Sequence, residues 1–161
     1  MHKTNENQER TQFDIIVMGG GMVGSAAACL LAQQGWQIAV VEQTEPEVYA
    51  PEQAMDLRVS AISPASVALL QQAGVWDAIL AMRVRAYTEL ATWEVNGLET
   101  HFHAHEAGVS ELGFIIENRL LQLALWQQLQ TFPNVRLYCP AQINALIQTD
   151  EQATITLNDG Q

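Results

Sequence analysis

The chain has 161 residues, 48% of them apolar, with seven Lys or Arg against 18 Asp or Glu for a formal net charge of −11. That is one domain's worth of chain with enough apolar content for a core, and its acidity argues against nucleic acid and against a membrane held by charge. No apolar run reaches transmembrane length, and Cys29 and Cys139 form no CxxC pair, so both are expected to be reduced core thiols in a reducing compartment.

Residues 1–12 are polar, lack a signal-peptide core and read as a disordered tail. The apolar run Ile15 to Met18, stopped by glycine, predicts a strand buried on both faces of a parallel sheet. Gly19-x-Gly21-x-x-Gly24 follows, then a helix with Ala26, Ala27, Leu30 and Leu31 on its packing face, ended by Gly35. A second apolar run, Ile38 to Val41, stops at Glu42, 18 residues after Gly24. Gly19 permits the turn, Gly21 lets a pyrophosphate approach the backbone, and Gly24 lets helix and strand pack closely. Amides at the helix start then face the phosphates, and Glu42 is placed to accept from an adenosine ribose. A glycine motif alone is weak; the strand, helix and acid around it together predict dinucleotide binding. The alternative is a βαβ unit whose glycines serve packing only.

Thr44 to Asp56 reads as an acidic loop. Arg58 beyond it suits bidentate contact with phosphate or carboxylate; the alternative is a surface ion pair with Asp56. Ser63-Pro64 predicts a capped helix start, with Ser60, Ser63 and Ser66 explained by the loop and that cap. The helix runs to Ala73 with Val67, Leu69 and Leu70 apolar, and Val75 to Met82 predicts another. From Tyr87 the period becomes that of a strand, Asn96-Gly97 predicts a hairpin turn, and Glu99 to His105 returns. His101, His103 and His105 share one strand face, but nothing is spaced to complete a metal site, so a solvated face without metal is expected. Leu112 to Ile116 predicts a strand. Asn118 to Gln130 predicts a helix with Leu120, Leu121, Leu125 and Leu129 on or near one face, broken at Pro133-Asn134. Strands are expected at Val135 to Tyr138, Ile143 to Gln148 and Ala153 to Leu157. Asn158-Asp159-Gly160 would be the turn of a hairpin lacking its partner strand, so the chain reads as part of a longer protein. Trp76, Trp93 and Trp126 are expected in the core or half-buried. No nucleophile or acid–base pair emerges, so the catalytic residues are unknown at this level.

The glycine motif with Glu42, then Asp56-x-Arg58-Val59-Ser60-Ala61-Ile62-Ser63, Gly74-Val75-Trp76-Asp77, Ile116-Glu117-Asn118 with Leu121-Gln122, and Ala124-Leu125-Trp126 resemble the ubiquinone-biosynthesis flavin hydroxylases. These are single-component FAD-dependent aromatic hydroxylases, and the resemblance runs from Phe13 to the end of the chain. It implies an α/β, Rossmann-like FAD-binding domain of the glutathione-reductase type over residues 13–161, incomplete and with a β-hairpin excursion. It also implies FAD as cofactor, NAD(P)H as transient reductant, and O2-dependent hydroxylation of a polyprenyl benzoquinol or phenol ring. By position, Gly19, Gly21 and Gly24 face the pyrophosphate, Glu42 holds the adenosine ribose, Arg58 lies close to the flavin, and Asn118 and Gln122 touch the cofactor. Many relatives carry an arginine where this chain has Asn118. The family's later Asp-Gly and Gly-Asp motifs are absent, so the chain alone is expected to be inactive. The resemblance implies a cytoplasmic enzyme and leaves open a peripheral inner-membrane position and association with other ubiquinone-synthesis proteins. The alternatives are another FAD oxidoreductase of the same fold, such as an amine or hydroxy-acid oxidase, or a truncated non-catalytic nucleotide-binding module.

Overall fold

The computed structural model describes residues 11–159; most of the expected polar tail, and Gly160 of the final turn, lie outside them. In chain order the elements are β1 (Ile15–Met18), α1 (Met22–Gln33), β2 (Ile38–Val41), β3 (Val59–Ile62), α2 (Pro64–Gln72), α3 (Trp76–Leu80) and β4 (Val84–Tyr87). There follow β5 (Glu89–Trp93), β6 (Glu99–His103), β7 (Gly113–Glu117), α4 (Asn118–Leu129), β8 (Val135–Tyr138), β9 (Ile143–Gln148) and β10 (Ala153–Leu157). They fall into two compact units, one of residues up to Glu45 together with Leu129 onward, the other of Pro46–Gln128.

In the first unit β1, β2 and β8 form a parallel sheet with β2 central. β2 is buried at every position, as an apolar run flanked on both sides requires. β1 carries the same kind of run but is only half-buried, and its Met18 is 59% exposed. The expectation of burial on both faces, made for β1, is not met: among the described residues β1 pairs with β2 alone. The buried face of α1 is Ser25, Ala28, Cys29 and Ala32, not Ala26, Ala27, Leu30 and Leu31. The helix is rotated by its first turn, where the Ser25 hydroxyl donates to the Gly20 carbonyl at 2.9 Å. β9 and β10 pair antiparallel with each other. Asn158 closes the base of this ribbon on Gln142. Val41, Ala141 and Leu157 are buried together, with Ile16, Tyr138, Ile143 and Ile155 packed against them.

In the second unit β3, β7 and β4 form an antiparallel sheet with β7 central, and β5 and β6 form the expected hairpin around Asn96-Gly97. β4 has no counterpart in the sequence reading, because Val-Arg-Ala-Tyr is too short and too mixed to show a period. The Ser63 hydroxyl accepts from the Ser66 amide at 3.3 Å, capping α2. Trp76 packs edge-on against Phe114, with ring centroids 5.0 Å apart. α4 is buried nearly all round, at Leu120, Leu121, Leu123, Ala124, Leu125, Trp126 and Leu129, a wider face than one leucine stripe. Trp93 departs from the core expectation: it is 75% exposed on the hairpin.

Asn134 does more than break α4. Its side-chain amide donates to the Ala32 carbonyl at 2.9 Å and the Trp36 carbonyl at 2.8 Å, tying the end of α1 to the start of β8. Asn134→Ala leaves both carbonyls without that donor and should lower stability by about 1–2 kcal/mol. The check is a shift of the urea midpoint at constant slope; an unmoved midpoint would show the tie to be dispensable.

Candidate functional site

The parallel register runs from Ile15 opposite Ile38 to Met18 opposite Val41, so β1 and β2 end side by side. The Gly19 amide continues the ladder, donating to the Val41 carbonyl at 2.9 Å. Gly19 then turns the chain with φ +103°, a conformation open to glycine and costly to other residues. The Gly20 amide donates to Glu42 Oε2 at 2.6 Å. Glu42 Oε1 accepts from the amides of Gln43 at 2.7 Å and Thr44 at 3.3 Å. A carboxylate offers about four acceptor positions, so Glu42, half-exposed, holds the turn and keeps capacity for a further donor such as a hydroxyl.

The three motif glycines have distinct environments. A Cβ built on Gly21 meets nothing within 4 Å, so the space over the start of α1 is open. A Cβ on Gly24 would collide with the Gly19 carbonyl and stand 3.1 Å from Val17 Cγ1; this is the close helix–strand approach. Gly21 is the N-cap of α1 and brings no side chain to it, which leaves the positive end of the helix for an anion. An open cradle, an uncapped helix start and an acid with spare acceptor capacity fit the pyrophosphate and ribose of a dinucleotide.

The second unit gathers a different cluster. Arg58 is exposed, and Asp56 Oδ1 accepts from its backbone amide at 3.0 Å. The alternative of an Arg58–Asp56 ion pair is thus replaced by a bond to the main chain. The Asn118 amide donates to the Arg58 carbonyl at 3.0 Å, and the Ser60 hydroxyl donates to Asn118 Oδ1 at 2.6 Å. Gln122 lies half-buried one turn further along α4.

Beside them lies a group the sequence reading assigned no role. Glu117, the last residue of β7, is 2% exposed. Its Oε2 accepts from the Asp56 amide at 2.8 Å and from Arg119 Nε at 3.0 Å. Its Oε1 lies 3.1 Å from Arg83 Nε, an ion pair by distance without hydrogen-bond geometry. Burial alone would push this carboxyl up; the Asp56 amide, the Arg119 guanidinium and the charges of Arg83 and Arg119 outweigh it and hold it below the usual carboxylate range. Its contribution to stability is therefore present above the ordinary carboxylate pKa and lost as pH falls through the depressed one. The available signal was an acid closing the otherwise apolar run Gly-Phe-Ile-Ile.

Burial pushes the Cys29 thiol up to about 12, and burial with the charges of Glu45 and Glu42 pushes Cys139 up as well. Neither is a ready nucleophile. Neither is in a disulfide; Cys29 is buried and Cys139 half-buried. His101 and His103 stack with centroids 6.2 Å apart, while His105 lies past the end of β6. Their neighbours are acids: Glu99 is 3.1 Å from His101 and Glu89 is 3.7 Å from His103. Among the described residues no group of three His, Cys, Asp or Glu is placed to hold a metal ion, and no helix is long and apolar enough to cross a membrane.

A parallel βαβ unit whose glycine turn is closed by an acid at the end of its second strand defines the dinucleotide-binding class of protein. The chain belongs to the FAD binding domain family, whose profile matches residues 12–161. It is 43% identical over 148 residues to the 3-demethoxyubiquinol 3-hydroxylase of Escherichia coli (strain K12), covering 92% of this chain and 38% of that protein. It is 31% identical to the ubiquinone hydroxylase UbiL of Rhodospirillum rubrum, over 92% of this chain and 34% of the relative. Against human ubiquinone biosynthesis monooxygenase COQ6 it is 34% identical over 74% of this chain and 26% of the relative. The chain thus spans about a third of the length of these relatives. Among solved structures, P. aeruginosa PqsL in complex with 2-aminobenzoylacetate superposes with a TM-score of 0.72 at 21% identity, covering 94% of this chain and 40% of that one. Aklavinone-11 hydroxylase with FAD and aklavinone gives 0.65 at 20% identity, over 95% and 31%. At these identities the structural likeness speaks for the fold.

The glycine environments make a direct contrast. Gly24→Ala must displace the Gly19 turn and should cost about 1–3 kcal/mol, whereas Gly21→Ala meets open space and should cost less, about 0.5 kcal/mol for the weaker N-cap. Equal melting temperatures for the two variants would contradict the packing role of Gly24.

Proposed function

We propose that the chain is the N-terminal part of an FAD-dependent monooxygenase that hydroxylates the ring of a polyprenyl benzoquinol or phenol in ubiquinone biosynthesis. The observation that carries this is the coincidence of the Glu42-closed glycine turn with relatives named as ubiquinone hydroxylases along nearly the whole chain. Those names favour this reading over an amine or hydroxy-acid oxidase of the same fold.

When bound, FAD supplies the redox chemistry, taking reducing equivalents from NAD(P)H and activating O2 for transfer of one oxygen to the ring. The chain's own residues bind and orient. In our reading Gly19, Gly21 and Gly24 shape the turn that receives the pyrophosphate, helped by the uncapped start of α1. Glu42 accepts from the adenosine ribose with the capacity left over from its three amide bonds. Arg58, Asn118 and Gln122 serve the flavin side of the cofactor. The exposed Arg58 guanidinium suits a partner with acceptor oxygens, and Asn118 is oriented by Ser60. A polyprenyl substrate resides in lipid. We assign the hairpin turn to the membrane surface, on the exposure of Trp93, Val95 and Leu98 around Asn96-Gly97 and the preference of tryptophan for that interface.

A chimera tests the activity. This chain, in place of the matching 148 residues of the E. coli relative, should restore quinone hydroxylation in cells lacking that enzyme. The same chimera with Gly21→Val should bind no FAD and restore nothing. A stable, FAD-loaded chimera that fails to hydroxylate would overturn the reading. For the membrane assignment, Trp93→Ala should reduce cosedimentation with phosphatidylcholine vesicles; undiminished binding would remove the hairpin from that role.

A further inference from the structure

Glu117 is joined to more of the chain than its own sheet. Arg119 Nη1 donates to Gln53 Oε1 at 2.7 Å and Nη2 to the Ala54 carbonyl at 3.3 Å. Arg83 Nη1 donates to the Gln53 carbonyl at 2.8 Å, and its guanidinium lies 5.7 Å over the Tyr49 ring. With the Asp56 amide on Glu117 itself, one buried carboxylate and two arginines hold the loop from Tyr49 to Asp56 at five points. The loop has no regular structure of its own to do this.

A buried carboxylate between two half-buried arginines is not the simplest device for stability, since apolar replacements of similar volume are often as stable. What the cluster does accomplish is placement. Asp56, fixed through its amide, carries the carboxylate that accepts from the Arg58 amide, and Asn118, next to Glu117, donates to the Arg58 carbonyl. The Arg58 main chain is thus held from both sides by the immediate neighbours of Glu117's bonds. Its side chain is left exposed.

We propose that Glu117 is a positioning residue for flavin binding, acting through Asp56 and the Arg83–Arg119 pair to set the backbone at Arg58 and Asn118. This rests on the function proposed above, which assigns those two residues to the flavin side of FAD. Glu117 touches no ligand in this role; it lowers the ordering cost of the residues that do.

The test separates the two ends of the cofactor. Titrations of the chain with FAD, followed by flavin fluorescence, and with ADP, followed by calorimetry, are compared for wild type, Glu117→Gln and Arg119→Gln. ADP engages the glycine turn and Glu42 alone. Glu117→Gln should weaken FAD about tenfold and leave ADP affinity unchanged. Arg119→Gln, which spares the carboxylate and cuts its tie to Gln53 and Ala54, should show the same split even if Glu117→Gln fails to fold. FAD affinity unchanged in both variants, or FAD and ADP weakened together in a folded variant, would overturn the positioning role while leaving the function standing. A wild-type chain that binds ADP but gains nothing from the flavin half would overturn it by removing the flavin role of Arg58 and Asn118. A folded wild-type chain that binds neither ligand would overturn the functional reading, and this proposal with it.

Discussion

The first unit depends on one register. Because Met18 stands opposite Val41 in the parallel pairing of β1 and β2, the first amides past β1 meet the first residue past β2. Gly19 bonds to the Val41 carbonyl and Gly20 to the Glu42 carboxylate. Glu42 then reaches further by its main chain: its amide donates to the Tyr138 carbonyl and its carbonyl accepts from the Ala141 amide, both at 2.9 Å. One residue therefore joins the glycine turn, the end of β8 and the segment leading into β9. A slip of one residue would send every side chain of β2 to the opposite face and take the carboxylate away from the turn.

The second unit uses the same device under different conditions. Glu117 also ends a strand and also accepts a backbone amide from a distant loop. Glu42 is half-exposed and bonded only to amides; Glu117 is buried and flanked by two guanidinium groups. A half-exposed carboxylate with acceptor capacity left suits a ligand that comes and goes. A buried one with both oxygens facing arginines must stay charged and stay put, because removing either partner strands a charge away from water. The two acids thus divide the work of contacting and of holding.

The stretch from β1 to Glu42 was legible in residue order because each part has a short-range cause: apolar runs for strands, glycines for the turn, an acid at the strand end. The hairpin at Asn96-Gly97 and the cap at Ser63 were legible for the same reason. β4 was not, because four mixed residues carry no period and become a strand only when β7 supplies the partner. The packing face of α1 is not legible in residue order, because small and apolar residues lie on more than one side of the helix and the choice among them is made by Gly24 and Ser25 against the turn. Trp93, expected in the core or half-buried, stands on an open face of a two-stranded ribbon. Asn134 read as a helix breaker, since its two carbonyl partners lie about a hundred positions away in sequence.

Local chemistry written in residue order determined the class of fold and the glycine turn with its acid. Periodicity, turn chemistry and spacing act over a few residues and need no partner. The tertiary structure alone decided which glycine serves conformation, which serves packing and which leaves open space, since that depends on what stands opposite each missing side chain. It alone decided that Asp56 bonds the Arg58 main chain rather than its guanidinium. It also decided that Glu117 binds a loop some 60 residues earlier in the chain, because a buried charge selects its partners by proximity in space.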